Sequence, residues 1–202
     1  MGSPALRQAK TFFVAILLLM GNAQAWEPSL SAGGGVWIPR GATREAMGAP
    51  QVATQLGVGV SNAWIAARLD AGFVRTTSAL RGVDSGRASG ERQTLWFVDI
   101  APGVELTCCA RFWIRPFVRA AHVFQVFSIE DPYDHVRGLK QGLAGSVGTT
   151  ILLDRALNSS DPFDVLGLSH VFLDLTARNL HPWTQGVDLG GWTFGGALGA
   201  SF

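Results

Sequence analysis

Apolar and polar positions alternate along most of this chain. From Trp64 to Thr76, in WIAARLDAGFVRT, residues Ile65, Ala67, Leu69, Ala71 and Phe73 share one face, while Ala66, Arg68, Asp70 and Gly72 share the other. In QVATQLGVGVS, Val52, Leu56, Val58 and Val60 alternate with Gln51, Ala53, Gln55, Gly57 and Gly59. The closing GGWTFGGALGASF places Trp192, Phe194, Leu198, Ala200 and Phe202 opposite Thr193, Gly195, Ala197, Gly199 and Ser201. A period of two residues is the signature of extended strand, and helical periodicity is scarce.

Eight such segments can be read, over 29–40, 51–60, 64–76, 93–106, 112–127, 139–153, 164–177 and 187–202. The links after the first, third, fifth and seventh are GATREAMGAP, TSALRGVDSGRASGER, SIEDPYDHVRG and RNLHPWTQG, mostly polar and rich in turn-forming residues. Those after the second and fourth, SNA and TCCAR, are brief; DRALNSSDPF after the sixth is longer. An even strand count, with short turns at one end and longer loops at the other, predicts an all-β, eight-stranded antiparallel transmembrane β-barrel in up-and-down meander order.

A soluble sandwich would bury its apolar face and charge the other. Here the less apolar face is small, rich in glycine and sparing in charge, which suits the narrow interior of a closed eight-stranded barrel. The apolar face would then meet lipid, and closure leaves no unpaired sheet edge in hydrocarbon. Trp37, Trp64, Trp96, Phe112, Trp113, Phe127, Phe163, Trp183 and Trp192 fall near strand ends, where interfacial aromatic girdles are expected.

The stretch IAPGVELTCCARFWIRPFVRAAHVF (Ile100 to Phe124) and the closing GGWTFGGALGASF together resemble the small eight-stranded outer-membrane barrels of the OmpA/OmpW-like class. In that class a P-G-V-E strand, a turn and an R-P-F-V-R-A strand recur. The resemblance implies that Trp192, Phe194, Leu198, Ala200 and Phe202 form the signal read by the barrel-assembly machinery. It implies an integral place in the outer membrane of a Gram-negative cell envelope, with both termini periplasmic and with outer-membrane lipid and lipopolysaccharide around the wall. It is nearly silent on function, because one fold hosts many activities.

The start of the chain reads as an export signal. Arg7 and Lys10 precede the apolar run Thr11 to Met20, and Ala23–Ala25 offers a small-x-small cleavage site before Trp26. The run is too short to span a bilayer, and no cysteine follows it to carry a lipid anchor. The expected organisation is a cleaved signal peptide over 1–25 and a barrel over 26–202. Loss of 1–25 removes Arg7, Lys10 and no acid, so the 16 basic and 15 acidic residues become 14 and 15. A formal charge of −1 gives no footprint for nucleic acid.

Cys108 and Cys109 are neighbours. Adjacent Cα atoms lie about 3.8 Å apart, below the ordinary disulfide range, so two separate thiols, one on each face, are expected ahead of a strained vicinal disulfide. They lack a second ligand pair at a spacing that would hold a metal, and neither metal nor cofactor is expected.

By strand parity the lumen face carries Arg68, Asp70, Asp99, Glu105, Arg115, Arg119, His170 and Asp174. Unpaired buried charge is costly, so these groups are expected to pair as a plug; a polar track or a gate is the functional alternative. Two families of small barrel act on lipid A acyl chains, and the deacylase pattern would need a His-x-Ser-Asn-type run. This chain has GLSHVFLDLTARN, with Ser169 directly before His170. Neighbouring strand residues point to opposite faces, and Asp174 lies about 13 Å from His170 along a strand. No enzyme is therefore expected, and lipid A modification ranks last. His122 and His135 have no better partners. Glu130, Asp131, Asp134 and His135 make a solvated acidic turn rather than a cation site, and Arg81, Arg87 and Arg92 a basic loop that could touch lipopolysaccharide phosphates. The expected role is structural or interactive, as the outer-membrane component of an envelope-spanning complex with envelope protein partners. A narrow channel or small hydrophobic-ligand transporter is the alternative.

Overall fold

The computed structural model describes residues 26–48, 50–81, 88–109, 111–156, 167–183 and 188–202. The signal segment expected over 1–25 lies outside them. Eight strands form one closed antiparallel barrel in meander order: β1 (Glu27–Pro39), β2 (Gln51–Ser61), β3 (Ile65–Arg81), β4 (Ala88–Thr107), β5 (Ile114–Glu130), β6 (His135–Leu152), β7 (His170–Pro182) and β8 (Gly191–Ser201). Two short helices, α1 (Gly41–Met47) and α2 (Leu153–Ala156), lie in links. No described helix is long and apolar enough to cross a membrane, which says nothing about crossing by strands.

Closure is made by β1 against β8, where Gly34 faces Gly196 and Gly35 faces Gly195. Followed once round the sheet, the register runs from Ser29 through Gly59, Arg68, Gly103, Ala121, Ala144, Leu180 and Gly191 to Pro39. The stagger from 29 to 39 tilts the strands by about 40° from the barrel axis. Between Ile100↔Phe124 and Gly103↔Ala121 the β4–β5 ladder is interrupted. Pro102 sits in that gap and has no N–H to give.

The alternation read from the sequence is the alternation of the wall. Val52 and Leu56 are 73% and 60% exposed on the outer face, while Ala53 and Gly57, the residue after each, are buried. Three boundaries differ from the expected ones. β3 and β4 run through much of the expected TSALRGVDSGRASGER loop, β5 and β6 reduce SIEDPYDHVRG to a turn between Glu130 and His135, and β7 lies five to six residues later than expected. Backbone pairing carried beyond the apolar band leaves no mark in hydrophobic periodicity, so those extensions read as loops.

Two aromatic residues expected at the girdle are instead in the lumen. Trp37 and Phe127 pack with Ala53, Val74, Leu95, Phe97, Leu189 and Met47 in a buried cluster at the end of the barrel away from the termini. Met47 comes from α1, which folds over that mouth; Thr43 Oγ1 donates to Asp188 O at 2.5 Å, and Ser78 Oγ to the Met47 sulfur at 3.2 Å. Trp64, Phe112, Trp113 and Trp183 are exposed just beyond strand ends, and Trp192 is exposed on β8. Phe163 lies outside the described residues.

Candidate functional site: the charged belt of the lumen

Two arginines organise the interior. Arg68 on β3 and Arg119 on β5 project inward because each occupies the inward phase of its strand, and the stagger sets both in the half of the barrel nearer the termini. Arg119 Nη1 donates to Asp70 Oδ2 at 2.7 Å, and its Nε and Nη2 to Glu105 Oε2 at 3.0 and 2.5 Å. Its guanidinium also lies 5.1 Å from the centre of the Phe117 ring. Arg68 crosses the lumen: Nη1 donates to Asp174 Oδ2 at 3.2 Å and Nη2 to Ser31 Oγ at 3.0 Å. Asp70 Oδ1 and Glu105 Oε2 lie 3.6 and 4.0 Å from the same guanidinium. Thr150 Oγ1 closes the group, donating to Asp174 Oδ1 at 2.5 Å.

Six strands thus contribute to one belt: β1 gives Ser31, β3 Arg68 and Asp70, β4 Glu105, β5 Arg119, β6 Thr150 and β7 Asp174. The five charged residues are all buried. Their guanidinium forks supply the several donors that buried carboxylates require. Room for them comes from missing side chains. A Cβ on Gly57 would stand 2.7 Å from both Asp70 Oδ1 and Ser31 Oγ and 2.9 Å from Arg68 Nη2.

The eight lumen charges expected from parity do not form one group. Arg68, Asp70, Glu105, Arg119 and Asp174 meet in the belt. Asp99 lies further along the lumen and pairs with Arg178, Nη2 to Oδ2 at 3.1 Å. Arg178 was not among the expected residues, although it shares the inward parity of Asp174 on β7. Lys140 and Gln125 are also buried inside the barrel and were likewise not anticipated. Arg115 and His170 lie at the mouth beside the termini. His170 Nδ1 is 2.9 Å from Asp154 Oδ2, and Arg115 Nε lies 3.4 Å from the Phe112 carbonyl oxygen.

Two small cavities flank the belt. One of about 70 Å³ opens at the termini side between Glu27, Arg115, His170, Arg68 and Asp174. The other, of about 30 Å³, lies beside Asp99 and Arg178 under the Trp37–Phe97 pair, whose rings meet edge to face at 5.0 Å. None of the residues lining one cavity lines the other.

Other candidate groups are arranged as follows. Asp131 Oδ1 accepts the backbone N–H groups of Tyr133 and Asp134 at 2.8 and 2.7 Å, which makes the acidic stretch a tight turn. His135 Nε2 lies 3.1 Å from Ser128 Oγ and receives Arg137 Nε at 2.6 Å. His122 is on the outer wall, its ring against Phe124 and Trp183. Among the described residues no three His, Cys, Asp or Glu side chains gather as a metal site. Of the basic loop, Arg87 and the side chain of Arg81 lie outside the description; Arg92 is exposed.

The cysteines differ from expectation. Cys108 and Cys109 do not diverge to opposite faces: their sulfur atoms are 2.8 Å apart. The turn that follows β4 removes them from the alternation of the strand.

No family model and no curated protein matches this sequence. Solved structures do match. The outer membrane protein OprG of Pseudomonas aeruginosa superposes with a TM-score of 0.57 at 13% identity, over 89% of this chain and 97% of that one. The fold is that of the small eight-stranded outer-membrane barrels. A major outer membrane protein of Thermus thermophilus gives 0.53 at 15% identity, over 88% of this chain and all of the other. The N-terminal β-barrel domain of Pseudomonas aeruginosa OprF gives 0.52 at 12%, over 87% and 97%. At these identities the likeness is one of architecture, and it leaves the belt residues to be read from this barrel alone.

Proposed function

We propose that this protein is a closed outer-membrane barrel with a structural or interaction role, its termini on the periplasmic side, serving as the outer-membrane component of an envelope-spanning assembly. The observation that carries the reading is the belt: five buried charged side chains from four strands tie the lumen shut, and an apolar cluster under α1 fills the other end. An interior occupied in this way leaves only the outer wall and the loops for encounters with other molecules. The apolar outer face supports a membrane location, since in water it would be a continuous hydrophobic surface far larger than monomers carry.

The reading is non-enzymatic. Ser169 and His170 are consecutive where β7 begins, and His170 is held by Asp154. The crosslinked complex recovered from native envelopes tests the role. A protein partner recovered reproducibly with the folded barrel is expected; a barrel always recovered alone would remove the assembly role.

A further inference from the structure

The turn between β4 and β5 holds a pair of thiols in an arrangement that ordinary turn chemistry does not require. Cys109 has φ +63°, and among the described residues it is the one non-glycine in the left-handed region, where glycine or asparagine is usual. The turn is held by Cys108 N–H donating to Pro116 O at 2.8 Å and Phe112 N–H donating to Cys109 O at 2.9 Å. This fold of the backbone swings both side chains to one side, with the sulfur atoms 2.8 Å apart, Cys108 exposed and Cys109 partly so. The pair lies in the turn that leads to Phe112 and Trp113, at the end of the barrel that carries the termini.

We propose that Cys108 and Cys109 are a redox-active vicinal dithiol, which closes reversibly to a disulfide by exchange with a disulfide-bearing oxidant. Cys108, the more exposed residue of the two, attacks one sulfur of the oxidant, forming a mixed disulfide and releasing the oxidant's first thiolate. Cys109 then attacks the Cys108 sulfur, closing an eight-membered ring and releasing the second thiolate. The two cysteines give up two electrons and two protons; the oxidant's two sulfurs take them up and leave as thiols. The hydrogen bond to the Cys108 sulfur, then burial and the Cys108 charge, raise the Cys109 thiol above its ordinary pKa. Adjacent Cα atoms are closer than an unstrained disulfide allows. Strained, exposed disulfides are the readily reduced ones, so the bond is a labile one rather than a staple. This inference is independent of what the barrel does in the envelope.

The test is thiol trapping on the folded, detergent-solubilised protein. Reduced barrel is exposed to oxidised glutathione, quenched in acid, alkylated with N-ethylmaleimide and weighed intact. The expected result is direct conversion of a doubly labelled species to an unlabelled one that has lost the mass of two hydrogens, reversed by reduced glutathione. Cys108→Ser and Cys109→Ser each remove the second sulfur, so the remaining cysteine should hold glutathione at least about tenfold more than wild type does, because nothing displaces it. A heat-modifiability gel confirms that each variant is folded. Wild-type protein that keeps both labels, accumulates glutathione adducts to the same level as the single variants, or crosslinks between molecules would overturn the proposal.

Discussion

Arg119 and Asp70 are in contact at 2.7 Å although their strands, β5 and β3, are not neighbours in the sheet. β4 lies between them and contributes Glu105 to the same guanidinium. A single side chain therefore bridges three strands across the inner wall. Replacing Arg119 by methionine should cost about 3–5 kcal/mol, because it takes the closest cationic donor away from two buried carboxylates. Arg119→Lys keeps the charge but loses the planar fork, and should cost less. Urea titration of the refolded barrel, followed by tryptophan fluorescence, reads both; equal, negligible shifts would remove the belt as a source of stability.

Gly57 is needed for the same belt. A methyl group there meets Asp70, Ser31 and Arg68 at once, and charged side chains that are already paired have little room to yield. Gly57→Ala should cost about 1–3 kcal/mol by overpacking. Gly145, whose added Cβ would meet nothing within 4 Å, is the control: Gly145→Ala should leave the unfolding midpoint almost unchanged.

β8 tests the outer wall. Leu198 is 59% exposed on the lipid side, and its neighbour on β1 is Ala32. Leu198→Arg should destabilise the barrel in phospholipid by about 2–4 kcal/mol if this position lies near the bilayer midplane. Phe202 still belongs to the wall, its N–H donating to Pro28 O at 3.0 Å. Phe202→Asp should lower the fraction of protein inserted in cells, read by heat-modifiability of the membrane fraction, with little change in the stability of barrel already folded.

Trp37→Ala should cost about 3–5 kcal/mol through the cavity it leaves in the apolar cluster. Because the charged belt lies further down the lumen, the loss should appear in the unfolding midpoint without opening a conducting path.

The wall was legible in the sequence because a period of two residues assigns each side chain to a face without knowledge of the fold. Ile65, Leu69 and Phe73 outside, with Arg68 and Asp70 inside, follow from parity alone. Height along the barrel does not. It depends on the ten-residue stagger, which no local pattern records, so parity could place Asp99, Arg115 and His170 in the lumen but not say that they stand apart from the belt. Arg178 shares the parity of Asp174 but stands one residue beyond the expected strand end at 177, in the part of β7 that extends to Pro182. Trp37 and Phe127 show the converse: a strand-end aromatic suits an interfacial girdle, yet an inward phase sends it to the core. The cysteine pair escaped for a third reason, since alternation ends where the chain turns.

The central claim, a lumen shut by its own side chains, is tested most directly by the conductance of the purified barrel in planar bilayers. The account predicts essentially no current from the wild-type protein under conditions where heat-modifiability shows it folded. Steady, large single-channel steps would contradict it.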